Sequence, residues 1–127
     1  MSTFLSTDFT LGTGVRVTPI TVTTTPTSLD DLLAVAVPAA GDQPARESMA
    51  GRRSLTLRNT DGTSPFYILE STTQTVTDGW NVDANDDIEF EAAKSGTENN
   101  VTIEDGGGGF YLATQSGTVI VKVLEVK

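Results

Sequence analysis

Thr118-Val119-Ile120-Val121-Lys122-Val123-Leu124-Glu125-Val126, near the end of the sequence, decides how the rest of the chain is read. In an extended strand Val119, Val121 and Val123 share one face, while Ile120, Leu124 and Val126 share the other, with Lys122 as the interruption. A strand with one wet face alternates apolar and polar residues. This one is apolar on both, which predicts a central strand or a subunit contact. The preceding Phe110-Tyr111-Leu112-Ala113 has the same two-sided character. In a chain of 127 residues, so much two-sided strand predicts burial beyond one core, hence homo-oligomerisation. The residues assigned to that self-association are Phe110, Leu112, Ile120, Leu124 and Val126.

Working outward, Thr alternates with Val, Ile or Leu along much of the chain, and Gly or Pro breaks it at short intervals. This is strand chemistry punctuated by turns. Val15–Thr18 and Ile20–Thr23 alternate with period two around Pro19, which argues for an edge strand or a bend. Further strands are predicted at Arg53–Arg58, Phe66–Glu70, Asp87–Ala92, Gly109–Thr114 and Thr118–Val126, with a short one near Thr73–Thr77. Asn59-Thr60-Asp61-Gly62, Asp78-Gly79, Ser95-Gly96, Gly106–Gly109 and Ser116-Gly117 supply the turns. Many short strands at this spacing predict a mainly β fold, an antiparallel β-sandwich or jelly-roll-like barrel.

One segment reads differently. Ser28 can cap a helix whose third residue is Asp31, and Leu29, Leu32, Leu33 and Ala36 share a helical face before Pro38. A short helix over about 29–37 is predicted; the rival is a strand turning Leu33, Val35 and Val37 inward. Residues 38–51 form a long loop, of the kind that usually has a job. Residues 1–14, rich in Ser, Thr and Gly around Phe4, Leu5 and Phe9, read as an extended N-terminal arm or an edge strand. The expected organisation is the arm, 1–14, and a single β domain, 15–127.

Composition narrows the function. The chain has no Cys and no His, which removes disulfides, thiolate zinc sites and His-based triads. No enzymatic activity and no cofactor are expected. The net charge of −9 argues against nucleic acid, which needs clustered cations. No apolar run is long enough to span a bilayer, and the N-terminal residues lack the cationic and apolar blocks of a signal peptide. Cytoplasmic synthesis is therefore expected. The charge is uneven: Arg46, Arg52, Arg53 and Arg58 lie close together, whereas nine carboxylates between Asp78 and Asp105 face only Lys94. Either these are two solvated faces, or a basic patch on one copy meets an acidic patch on a neighbour.

The motifs that would carry chemistry fail one by one. Asp83, Asn85 and Asp87 match the start of a calcium loop, but Ile88 and Lys94 replace its glycine and final glutamate. A looser calcium site from these carboxylates stays open beside the plainer reading, a turn and a strand with Ile88 and Phe90 inward. The carboxylates of Asp86–Glu91 lack the aromatic platform of a glycosidase groove. Asp61-Gly62-Thr63 is a turn, Gly106–Gly109 has no phosphate-loop lysine, and Asn100-Val101-Thr102 is a sequon with no secretory route. Trp80 is either a core or interface anchor or an exposed stacking surface.

Arg53-Ser-Leu-Thr-Leu-Arg-Asn59, Ser64-Pro-Phe-Tyr-Ile68, Gly79-Trp-Asn-Val82, Phe110-Tyr-Leu-Ala113 and Ser116-Gly-Thr-Val-Ile-Val-Lys-Val-Leu-Glu125 follow one another in an order that is suggestive as a set. Over about residues 52–126 it resembles small structural proteins of tailed bacteriophages, the head decoration (capsid cement) and minor virion proteins. The resemblance implies a protein that binds the assembled head, with the major capsid protein as partner, a homotrimeric state and a place on the outer surface of the virion. Docking is then expected through Phe4, Leu5 and Phe9 of the arm and through Arg46, Arg52 and Arg53. The alternative is a carbohydrate- or receptor-binding β-sandwich of a tail tip or fibre, using Trp80.

Overall fold

Eight strands and one helix follow in a computed structural model that describes residues 14–91 and 109–127. They are β1 (Val15–Val22), β2 (Thr27–Ser28), α1 (Leu29–Ala36), β3 (Ser54–Asn59), β4 (Phe66–Leu69), β5 (Trp80–Val82), β6 (Asp87–Glu91), β7 (Tyr111–Ala113) and β8 (Val119–Val126). They make two four-stranded antiparallel sheets, ordered β1-β8-β3-β6 and β2-β7-β4-β5. The fold is a β-sandwich.

Pairing explains the placement of β8. It is hydrogen-bonded to β1 along its full length and to β3 along most of it, so both of its ladder sides are used. Its inner face, Val119, Val121 and Val123, meets Ile20 and Val22 of β1 and Leu55 and Leu57 of β3 in one core. Phe66, Val82 and Leu112 close that core from the opposite sheet. Burying a side chain of this kind stabilises by roughly 1.5–3 kcal/mol. The outer face is not covered by the described residues: Ile120 is 44% exposed and Leu124 and Val126 are half-buried. Strand β1 runs straight through Pro19, which is tolerated because β1 is an edge.

The helix forms as its signals require. Ser28 accepts a hydrogen bond from the Asp31 amide, and Leu29, Leu32 and Leu33 enter the core. Val35 is exposed, so the strand alternative, which turned it inward, does not hold. One expectation needs correction. The segment near Thr73–Thr77 is not a strand: Gln74 accepts from the Glu70 amide and donates to the Asp78 carbonyl, winding it into a turn that ends in a short 3-10 helix at Val76–Asp78. In its place Trp80–Val82 is a strand, paired with Phe66–Ile68.

That pairing depends on Gly79. A Cβ there would lie 2.4 Å from Leu69 Cδ2 and 2.6 Å from the Ile68 carbonyl oxygen. Backbone cannot yield to it cheaply. Gly79→Ala is expected to destabilise by about 1–3 kcal/mol, the usual range for overpacking, as read from urea unfolding midpoints. A cost below about 0.5 kcal/mol would show that β4 and β5 approach less closely than described.

Candidate functional site

Three surface features emerge, each placed by strand register. The first is built around Glu125. It follows Val119, Val121 and Val123 on the inner face of β8 and is fully buried. A buried carboxylate needs partners in hydrogen-bonding range, and this one has four donors. Arg16 Nε and Nη2 reach Oε1 at 3.0 and 2.7 Å, while Arg52 Nη1 and the Met49 amide reach Oε2 at 2.8 Å each. Arg16 is available because it sits in phase with Thr18, Ile20 and Val22 on the inward side of β1.

The cluster also ties down the long loop. Arg16 Nη2 donates to the Glu47 carbonyl, Arg46 Nη1 donates to Thr18 Oγ1 at 2.9 Å, and the Ser48 amide donates to Asp30 in α1 at 2.8 Å. The loop borders an open cleft of about 630 Å³, lined by Arg16, Arg46, Glu47 and Lys127 and by Val37, Pro44 and Met49 among others. Burial, and then the neighbouring positive charge of Arg16, hold the Arg46 pKa below its usual value, with Glu125 offsetting in part.

Basic residues expected to dock therefore have other tasks. Arg52 is 4% exposed and committed to Glu125, so it cannot meet a partner surface. Arg46 is half-buried against β1, and Arg58 pairs with Asp87 at 3.3 Å. Only Arg53 of the four stands exposed without an ion pair among the described residues. Phe4, Leu5 and Phe9 lie outside the described residues.

The second feature is the outer face of the β1-β8-β3-β6 sheet. Val15 stands opposite Val126 and Val17 opposite Leu124. Val15 and Val17 are 63% and 53% exposed. With Leu124 and Val126 they make an apolar stripe that Lys122 and Arg58 close at one end; Ile120 stands beyond Lys122, and Ser54 and Thr56 of β3 separate the stripe from Glu91 and Glu89 of β6. Of the residues assigned to self-association, Leu124 and Val126 lie in this stripe and Ile120 lies on the same face beyond Lys122. The other two do not: Leu112 is fully buried between the sheets, and Phe110 stacks on Phe90 with ring centroids 5.6 Å apart.

The third is Trp80, 68% exposed on edge strand β5 beside a shallow groove of about 270 Å³ that includes Gln74, Asp78 and Phe110. It is not a core anchor. The Asp83–Asp87 segment is a turn with Asn85 at φ 62°, closed by the Asp86 amide on the Asp83 carbonyl, and it launches β6 with Ile88 and Phe90 inward. Among the described residues no three acidic side chains converge as a metal site needs. The Asn59–Gly62 turn is locked by Asp61, which accepts from the amides of Thr63 and Ser64 and from the Thr63 hydroxyl. These bonds, the Thr63 amide first, hold the Asp61 carboxyl below its usual pKa. Their contribution to stability is complete above the ordinary aspartate pKa and disappears as pH falls through the lowered value. Gly106–Gly108 and the Asn100 sequon lie outside the described residues.

No protein-family model, curated protein or solved structure matches this chain.

Proposed function

We propose that this chain is a non-enzymatic structural protein of a tailed-phage virion, a decoration protein that binds the major capsid protein on the outer surface of the assembled head and stabilises it. The observation that carries the reading is the exposed apolar stripe of Val15 and Val17, beside the half-buried Leu124 and Val126, on the outer face of the sandwich. Contiguous exposed apolar surface of this kind marks association sites. The resemblance over residues 52–126 supplies the identity of the larger assembly.

The occupant of the stripe in this reading is a second copy of the chain, within a homotrimer. Its rim carries both signs, Lys122 and Arg58 against Glu89 and Glu91, which suits the head-to-tail contact of a ring, the basic end of one copy meeting the acidic edge of the next. The arm, 1–14, with Arg53, is then left to reach the capsid. The test is analytical ultracentrifugation followed by co-sedimentation with capsids assembled from the major capsid protein encoded in the same genome. The expected result is a trimer that pellets with capsids, a V17E/I120E variant that is a monomer, and a 1–14 deletion that stays trimeric but remains in the supernatant. A wild-type chain that stays behind at stoichiometric capsid concentration overturns the reading.

Exposure of Trp80 favours a second reading, a carbohydrate- or receptor-binding module of a tail tip or fibre. Saturable quenching of Trp80 fluorescence by a glycan, lost in Trp80→Ala, would select it over the first.

A further inference from the structure

The inward face of the second sheet does not end at the core. Leu112 of β7, Ile68 of β4 and Trp80 of β5 stand side by side in register, and cross-strand neighbours share a face. Leu112 is fully buried and Ile68 packs against the core, yet Trp80 is 68% exposed because β5 is the edge of its sheet. The indole therefore flanks the groove of about 270 Å³, whose apolar lining comes from Ile68, Leu69 and Phe110. That volume lies just below the usual range for whole small molecules and suits one long side chain.

Charge in the groove has one sign. The ionisable side chains that line it are Glu70 and Asp78, both exposed, and neither has an ion pair among the described residues. No Arg or Lys of the described residues lines it. Hydrogen-bonding capacity is equally one-sided. The side-chain oxygen of Gln74 accepts from the Glu70 amide and its nitrogen donates to the Asp78 carbonyl. The Asp78 and Gly79 amides donate to the carbonyls of Thr75 and Val76. Among the lining side chains, what remains besides the indole N–H is two carboxylates, which only accept.

We propose that the groove beside Trp80 is a docking site for an extended basic segment of a partner protein, an Arg or Lys side chain lying against the indole with its charged head toward Glu70 and Asp78. Such a side chain only donates and carries an apolar stem, so it matches both parts of the lining. The face of a tryptophan ring also attracts a cation. Other occupants fit less well. A phosphate or an acidic peptide meets two carboxylates and no cation. A sugar hydroxyl also accepts, and finds the indole N–H as its one side-chain donor. The edge position of β5, beside which an extended chain can run, selects a peptide over a free amine. The groove belongs to the other sheet from the apolar stripe, so this proposal and the trimeric capsid reading can fail separately.

The test uses the full-length protein at low salt. Emission of Trp80, the single tryptophan of the chain, gives the signal, and amide NMR places the site. The probe is the end-blocked peptide Leu-Arg-Leu. A saturable change in emission is expected, with amide shifts at Glu70, Asp78, Gly79 and Trp80. Affinity should fall about tenfold when citrulline, the neutral isostere, replaces the arginine. Glu70→Gln with Asp78→Asn should weaken binding to a similar degree, and Trp80→Leu, followed by NMR, should abolish it, each with the spectrum still dispersed. Shifts that map to Glu89 and Glu91 instead overturn the proposal. So do equal affinity for the citrulline peptide, equal affinity for free arginine amide, tighter binding of a neutral glycan, and no response at millimolar peptide.

Discussion

Glu125→Ala is expected to destabilise the protein by about 3–5 kcal/mol, the range found when one member of a buried ion pair is removed. Arg52 makes the effect large. Its side chain is 1% exposed, and Nη1 has Glu125 as its partner at 2.8 Å. Its Nε and Nη2 are already buried without partners. Remove the carboxylate and a whole guanidinium is left uncompensated, together with the Met49 amide that used the same oxygen. Arg16, 26% exposed, can turn to water and contributes less. Urea unfolding measures the loss, and the slope should stay unchanged if the remainder of the fold is intact. The compensated variant, Glu125→Leu with Arg52→Met, removes both buried charges and should regain much of the loss, since apolar replacement of a whole buried pair is often neutral or better. A single-variant cost under about 1 kcal/mol, the value of an exposed pair, would contradict the buried geometry.

The second large effect is expected at Asn59, which links the sheets. It ends β3 in one sheet, is fully buried, and its Nδ2 donates to the Val82 carbonyl of β5 in the other at 3.1 Å. The same nitrogen donates to the Ser64 carbonyl at 2.9 Å, and Oδ1 accepts from the Asp61 amide at 2.8 Å. Asn59→Ala removes three hydrogen bonds and leaves the Val82 carbonyl without this donor. With net values near 1 kcal/mol per bond and a further penalty for a buried orphan, the expected cost is about 2–4 kcal/mol. Asn59→Asp keeps the acceptor for Asp61 but loses both donations and buries a charge, so it should be at least as damaging. An Asp variant as stable as the wild type would show that the bond between sheets does not form. Hydrogen exchange should show the loss first in β5, which among the described residues has β4 as its one strand partner.

Much of the fold is legible from residues alone because the physics involved is local. Period-two alternation marks β1, β3 and β6, a Ser28–Asp31 cap marks α1, and Gly-bearing pairs mark the turns. The short β5 was not legible: Trp80-Asn81-Val82 is too brief to show a period, and it pairs because Gly79 lets the chain come against Ile68 and Leu69. The site was legible only in part. A charged residue in phase with Val119, Val121 and Val123 is a signal that Glu125 points inward, and an inward carboxylate demands inward cations. Arg16, in phase with Ile20 and Val22, answers that demand in the same way. Nothing local says that Arg52 will be the third member, because it follows an irregular loop with no period to set its direction.

Val119–Val126 therefore carried two kinds of information. Its residues by themselves determined an extended strand of central character, because β-branched alternation on both faces fits nothing better. The tertiary structure decided that the apolar outer face has no covering layer among the described residues, since β1 and β3 occupy the ladder edges of the strand. It also decided that Arg16 and Arg52 turn inward to Glu125, whereas Arg58, beside Lys122, stays at the surface. That outcome depends on the distance between Glu125 and a loop more than seventy residues earlier in the chain. Only packing brings them within 2.8 Å.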